Sequence, residues 1–138
     1  MNRFSKQFKS ITLAFIFFLF LFSATTVLAA PHLGLNIVSV RRLDPNPPNA
    51  EVVRYSVTFS APVIDVDLGD FNLKVTGVIS GVTLSGISGS GNTRKIFVNT
   101  GSGNGTIRLN VIDNDTIEDL KGNYFDGYYF KGEQYILE

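Results

Sequence analysis

The sequence predicts an all-β protein, an antiparallel sandwich of about seven strands preceded by a signal peptide. Three observations lead there. No apolar stripe at helical spacing appears after residue 30. Short segments rich in Val, Ile, Tyr and Phe follow one another instead, separated by clusters of Gly, Pro, Asn and Asp. The first thirty residues, finally, have a composition unlike anything after them.

That N-terminal stretch opens with "MNRFSKQFKS", which carries Arg3, Lys6 and Lys9 and no acid. The uncharged apolar run "ITLAFIFFLFLFSA" follows, then the small residues of "TTVLAA". This is the basic, apolar, small-residue order of a secretory signal peptide. Val27 and Ala29 occupy the −3 and −1 positions. A cut after Ala30 would place Pro31 at +1, where its fixed φ and missing N–H obstruct a protease. Residues 1–29 are therefore read as the signal peptide and 30–138 as the domain. The competing reading is an uncleaved anchor, since Ile11 to Ala30 is long enough to cross a bilayer. Ser23, Thr25 and Thr26 weaken it. Cleavage implies a secreted or cell-surface protein with no membrane attachment of its own.

Over the whole chain the formal net charge is zero. Cleavage removes three of the twelve basic residues and none of the twelve acidic ones, leaving nine against twelve and a net of −3. A mildly acidic domain has no electrostatic footprint for nucleic acid or an anionic membrane, so neither is an expected partner. Cysteine is absent. That excludes disulfides, thiolate nucleophiles and zinc-thiolate sites, and leaves the fold to be held by its core, which is feasible at this size.

The elements follow in order. "LNIVSVRRL" (35–43) reads as a strand that ends at "DPNPPN", where proline cannot continue a ladder. "AEVVRYSVTFS" (50–60) alternates, with Val53, Tyr55, Val57 and Phe59 on one face and Arg54, Ser56 and Thr58 on the other. "PVIDVDLGDFNLKVTG" (62–77) reads as a short strand, a turn at Leu68–Asp70, and a strand through Phe71, Leu73 and Val75. In the short strand, Ile64, Val66 and Leu68 are expected inside and Asp65 and Asp67 in solvent. "VTLSGIS" (82–88) and "TRKIFVN" (93–99) form a hairpin across "GSGN". The glycines of "GSGNG" are also read as hairpin residues. "TIRLNVI" (106–112) turns Ile107, Leu109 and Val111 inward, and "YYFKGEQYIL" (128–137) closes the domain.

Two long passages carry a family likeness: "IVSVRRLDPNPPNAEVVRYSVTFSAPVIDVDLGDFNL" and "NTGSGNGTIRLNVIDNDTIEDLKGN". They resemble the immunoglobulin-like repeat of large bacterial surface and secreted proteins, over nearly all of residues 37–138. The chain departs from that pattern in "SAP" at 60–62, where "SEP" is usual, and in "GNYFDG", where "GNPL" is common. The resemblance implies an immunoglobulin-like fold and a place at the cell surface. It assigns no activity, because one sandwich hosts many roles.

The stretch 111–127, "VIDNDTIEDLKGNYFDG", concentrates acids just beyond an apolar strand. Carboxylates and carbonyls are what calcium prefers, so Asp113, Asp115, Asp119 and Asn123 are candidate ligands. The spacing is not an EF-hand, since its sixth position is Glu118 and its twelfth Tyr124. The competing reading is a turn built from Asx side chains. Catalysis is not expected: the single histidine, His32, precedes the domain's first strand and leaves a triad without a base. The aromatic run of Tyr124, Phe125, Tyr128, Tyr129 and Phe130 is expected to be partly core. Of these, Tyr124, Tyr128 and Tyr129 are candidate ligand contacts. The functional expectation is a non-enzymatic structural or adhesive module, with calcium as the one cofactor considered. Its partner is expected to be an extracellular protein or polysaccharide, and the alternative role is carbohydrate binding through the aromatics.

Overall fold

The computed structural model describes residues 34–46, 50–112 and 114–138. The signal segment 1–29, His32 and Asp113 lie outside the described residues. In chain order the elements are β1 (Ile37–Arg42), β2 (Val52–Phe59), β3 (Val63–Ile64), a 3₁₀ turn (Leu68–Asp70), β4 (Phe71–Ser80), β5 (Thr83–Ser88), β6 (Thr93–Asn99), β7 (Ser102–Val111), β8 (Glu118–Asp119) and β9 (Gln134–Leu137). All the pairings of these strands are antiparallel. One sheet has the order β1-β2-β6-β5, another β4-β7-β9, and a two-stranded pair joins β3 to β8. No helix among the described residues is long and apolar enough to cross a membrane.

The alternation in β2 explains the core. Val53, Tyr55, Val57 and Phe59 are fully buried, and the intervening residues are half-buried. β6 sets Ile96 and Val98 beside them, in the register Tyr55↔Ile96 and Val53↔Val98. The three-stranded sheet contributes Phe71, Ile107, Leu109, Val111, Tyr135 and Leu137 to the same apolar cluster. The two sheets therefore face each other across one core, as β-faces that alternate must.

Two tyrosines link the sheets directly. The rings of Tyr55 and Tyr135 meet edge to face, 5.0 Å between centroids. A buried phenol needs a partner. The Tyr55 hydroxyl donates across the core to the Ile107 carbonyl at 2.6 Å. The Tyr135 hydroxyl donates to the Arg54 carbonyl at 2.6 Å and accepts from the Asp44 N–H at 3.0 Å. Burial raises the pKa of both phenols, so both stay protonated donors. Asp44 in turn grips Arg54, accepting from its backbone N–H and from its guanidinium. This fixes the corner where β1 leaves its sheet.

Arg94 closes the other end of that sheet. It lies on the inner face of β6, 9% exposed, and donates to the carbonyls of Val63, Gly91 and Thr93. Backbone oxygens, not an acid, satisfy this buried cation, and they hold β3 against the start of β6.

Three details differ from the expectation. β7 begins at Ser102, so "GSGNG" is no hairpin tip: it runs in register with β4 as far as Ser80↔Ser102. Its glycines are required by close approach. A Cβ on Gly103 would lie 1.8 Å from the Val78 carbonyl oxygen, and one on Gly105 would lie 1.9 Å from that of Thr76. In β3 the inward residue is Val63, while Ile64 is exposed. The strand stops there because Asp65 turns into the left-handed region, φ 56°, so Val66 and Leu68 pack only at the margin of the core. β9, last, is only four residues long.

Two measurements check this account. Phe59→Ala should lose about 3–5 kcal/mol in denaturant unfolding, while Thr58→Ala on the opposite face should change stability by less than about 0.5 kcal/mol. Equal losses would refute the two-faced reading of β2. The second concerns acid. The Arg54 hydrogen bonds hold the Asp44 carboxyl below its ordinary 3.8. A carboxylate depressed in the folded state contributes stability that is complete above its unfolded pKa and is lost as pH falls through the folded value. Stability should therefore drop as pH falls below 3.8, and Asp44→Asn should be weaker at neutral pH with a flatter acid limb. An unchanged acid limb in that variant would remove Asp44 from the account.

Candidate functional site

The acidic stretch beyond β7 is divided by the fold into two places. Asn114 and Thr116 lie against the 3₁₀ turn that precedes β4. That turn is closed by a capping box: Asp67 accepts from the Gly69 N–H at 2.6 Å, and Asp70 accepts from the Asp67 N–H at 2.8 Å. Asp70 is fully buried, and its second oxygen accepts from the Thr116 hydroxyl at 2.7 Å. That hydroxyl also lies 2.5 Å from the Asn114 side-chain oxygen. The Ile112 N–H donates to the Asp70 carbonyl at 2.8 Å, which binds the end of β7 to the same turn. Asp115 follows in a left-handed conformation, φ 61°. The sequence separates Asp70 from Thr116 by forty-six positions, and only the pairing of β4 with β7 brings them together. The "DLGD" capping pattern was the one local hint.

Asp119 and Asn123 belong to the second place. β8 pairs with β3 through Val63↔Asp119 and Ile64↔Glu118. Asp119 then closes the turn that follows. One oxygen accepts from the Lys121 and Asn123 N–H groups at 2.8 and 2.9 Å, and the other from the Asn123 amide at 2.8 Å. These bonds, the Asn123 side chain first, lower the pKa of Asp119. Its backbone carries two further turn bonds, from its own N–H to the Asn123 carbonyl and from the Gly122 N–H to its carbonyl. Gly122 has φ 81°, as such a turn requires. Of the candidate calcium ligands, Asp119 and Asn123 meet in this turn. Asp119 and Asn123 bond to each other, and the carboxylate meets N–H donors where a cation would need oxygens. Among the described residues no three His, Cys, Asp or Glu side chains are grouped to hold a metal ion.

The aromatic run is divided too. Phe125 is buried, bridged to Leu35, and Tyr129 packs against the core. Tyr129 exchanges both backbone hydrogen bonds with Val111, at 3.1 and 2.9 Å. Its neighbours therefore point to the other side. Tyr128 and Phe130 are 66% and 46% exposed, their rings stacked with centroids 5.5 Å apart and planes 16° from parallel. Tyr124 is exposed beside Glu118. Of the three candidate contacts Tyr128 sits in an exposed ring pair, and Phe130, outside the candidate set, is its partner.

Comparison with family models, curated proteins and solved structures gave no match.

The geometry of Asp119 yields a test. Asp119→Ala should lower the melting temperature equally in calcium and in chelator, because the lost bonds are to N–H groups. For the parent protein the two melting curves should coincide up to several millimolar calcium. A rise with calcium that vanishes in Asp70→Asn would instead place an ion beside the 3₁₀ turn.

Proposed function

We propose that this chain is an exported, non-enzymatic immunoglobulin-like module with a structural or adhesive role at the cell surface. The observation that carries the reading is the strand order. β1-β2-β6-β5 facing β4-β7-β9 corresponds to the A-B-E-D and C-F-G sheets of a constant-type immunoglobulin sandwich. In this correspondence the β3–β8 pair bridges the connections that leave strands B and F.

The placement of the first and last described strands favours a structural role. Gly34 and Asn36 lie at the end of the sandwich marked by Ser60, whose hydroxyl accepts from the Asn36 N–H at 3.0 Å. The C-terminal Glu138 lies at the other end, in a cleft of about 250 Å³ that it lines with Glu51, Thr100 and Gly101. β2 runs from Val52 near that cleft to Phe59 beside Ser60. The first and last described strands thus start and finish at opposite ends of the sandwich, an arrangement that suits a spacer. The end-loop carboxylates of Asp67, Asp70 and Asp119 are occupied in holding turns, which suits scaffolding better than proton transfer. The partner in this reading is an extracellular protein or polysaccharide.

Export is tested by sequencing the N-terminus of the protein recovered from expressing cells. It should begin at Ala30, and protease added to intact cells should reach it. An intact Met1 on protein protected inside the cell would overturn the proposal.

A further inference from the structure

We infer that the outer face of the β4-β7-β9 sheet binds an acidic polysaccharide, Lys74 and Arg108 taking the carboxylate of a uronic-acid unit while Tyr128 and Phe130 carry an adjoining sugar ring. The register lays this face out in rows. Thr76, Thr106 and Ile136 form one, and Lys74, Arg108 and Gln134 the next. Asn72 and Asn110 form the third. The Val111↔Tyr129 bridge continues that third row with Phe130 and sets Tyr128 one position beyond, because paired residues share a face and their neighbours take the other. Successive rows on one face are about 7 Å apart.

The middle row is the anomaly. Lys74 and Arg108 are directly opposite each other in the ladder, and like charges so placed destabilise a sheet. None of the three rows contains an acid. Among the described residues the ion pairs are Arg42 with Glu133 and Arg54 with Asp44, so neither cation of the row is neutralised there. This occurs on a domain whose residues from 30 onward carry a net of −3. Two facing cations without a counter-charge are an incomplete anion site.

The neighbours define the anion. Arg108 is steadied by its Nε bond to the Asn110 side-chain oxygen at 3.0 Å, and Asn110 in turn donates to Asn72 at 2.9 Å. The terminal guanidinium nitrogens carry no hydrogen bond among the described residues, and their fork matches a carboxylate. The exposed amides of Asn72 and Gln134 suit a hydroxyl-rich ligand, while Thr76 and Thr106 bond to each other, and exposed ring faces suit the C–H face of a sugar. Two cations are too few for nucleic acid, which is bound by neutralising many phosphates.

The test is retardation of protein purified from expression of the full chain in gels containing polygalacturonate, with dextran as the neutral control. Polygalacturonate should retard the protein, dextran should not, and added salt should weaken the effect. Tyr128→Ala with Phe130→Ala should weaken binding at least tenfold. Lys74→Gln with Arg108→Gln should abolish it. Arg108→Gln also removes the bond to the buried Asn110 oxygen. Lys74→Gln alone keeps that bond and relieves the repulsion, so it should weaken binding with the melting temperature unchanged or raised; a merely structural role for Lys74 would lower it. Absence of retardation, equal retardation by dextran, or binding that survives both double variants would overturn the inference. So would concentration-dependent self-association lost in the aromatic variant, which would make the ring pair a contact between copies.

Discussion

Two sheets without a cysteine between them must be held by what their inner faces can do alone, and here that depends on Tyr55 and Tyr135. Each ring is fully buried, so each brings a large apolar area and one hydroxyl that cannot be left unpaired. The hydroxyls resolve this in different directions. Tyr55, on the four-stranded sheet, donates to Ile107 on the three-stranded one. Tyr135, on the three-stranded sheet, donates to Arg54 on the other. The result is a reciprocal pair of cross-core bonds at the edge-to-face contact. It fixes the separation of the sheets and their relative register along the strands, which packing alone leaves freer. The Asp44–Arg54 grip and the Asp44 N–H bond to Tyr135 extend the same knot to the corner after β1.

The parts of the fold that local chemistry dictates were legible. β2 alternates without a break, and its burial alternates with it. The turn at Leu68–Asp70 announces itself as Asp-Leu-Gly-Asp, a capping box in four residues. What escaped reading depends on partners distant in sequence. The glycines of "GSGNG" have the composition of a hairpin, and their positive φ values are real. Only the proximity of the β4 carbonyls explains why they continue a strand. Val63 and Ile64 are nearly equivalent to a periodicity argument, and the choice between them is made by pairing with β8. Arg94 alternates with core residues on a strand yet is a cation, and its solution, three backbone carbonyls, has no sequence signature.

The candidate site was legible only as composition. Asp and Asn side chains organise turns, and the Asp119 carboxylate, which accepts from two backbone N–H groups and one side-chain amide, is such an organiser. Which acids meet is a matter of topology. The 3₁₀ turn before β4 and the loop after β7 become neighbours because those two strands pair from Phe71↔Val111 onward. That juxtaposition buries Asp70 beneath Thr116. The aromatic run shows the same limit, since alternation predicts that neighbouring rings part company but not where the isolated bridge at Tyr129 will set the phase for Tyr128 and Phe130.

The two outer faces treat their cations differently. On the four-stranded sheet Arg41 and Lys95 share a row but are separated by Ser56. Arg54, one row away, is neutralised by Asp44. A spacing of two strands is close to the screening length at physiological salt, so such a row costs little. On the three-stranded sheet Lys74 and Arg108 have no intervening residue and no acid. Exposed charges at contact distance repel by about 1 kcal/mol in water, an amount a marginally stable domain registers but survives. A serine at either position would remove that cost, as Ser56 does on the other face. The repulsion is therefore a property of one face and not of the fold. It sits in the row beside the exposed stacked rings, so any anion that relieves it is presented to them at the same time.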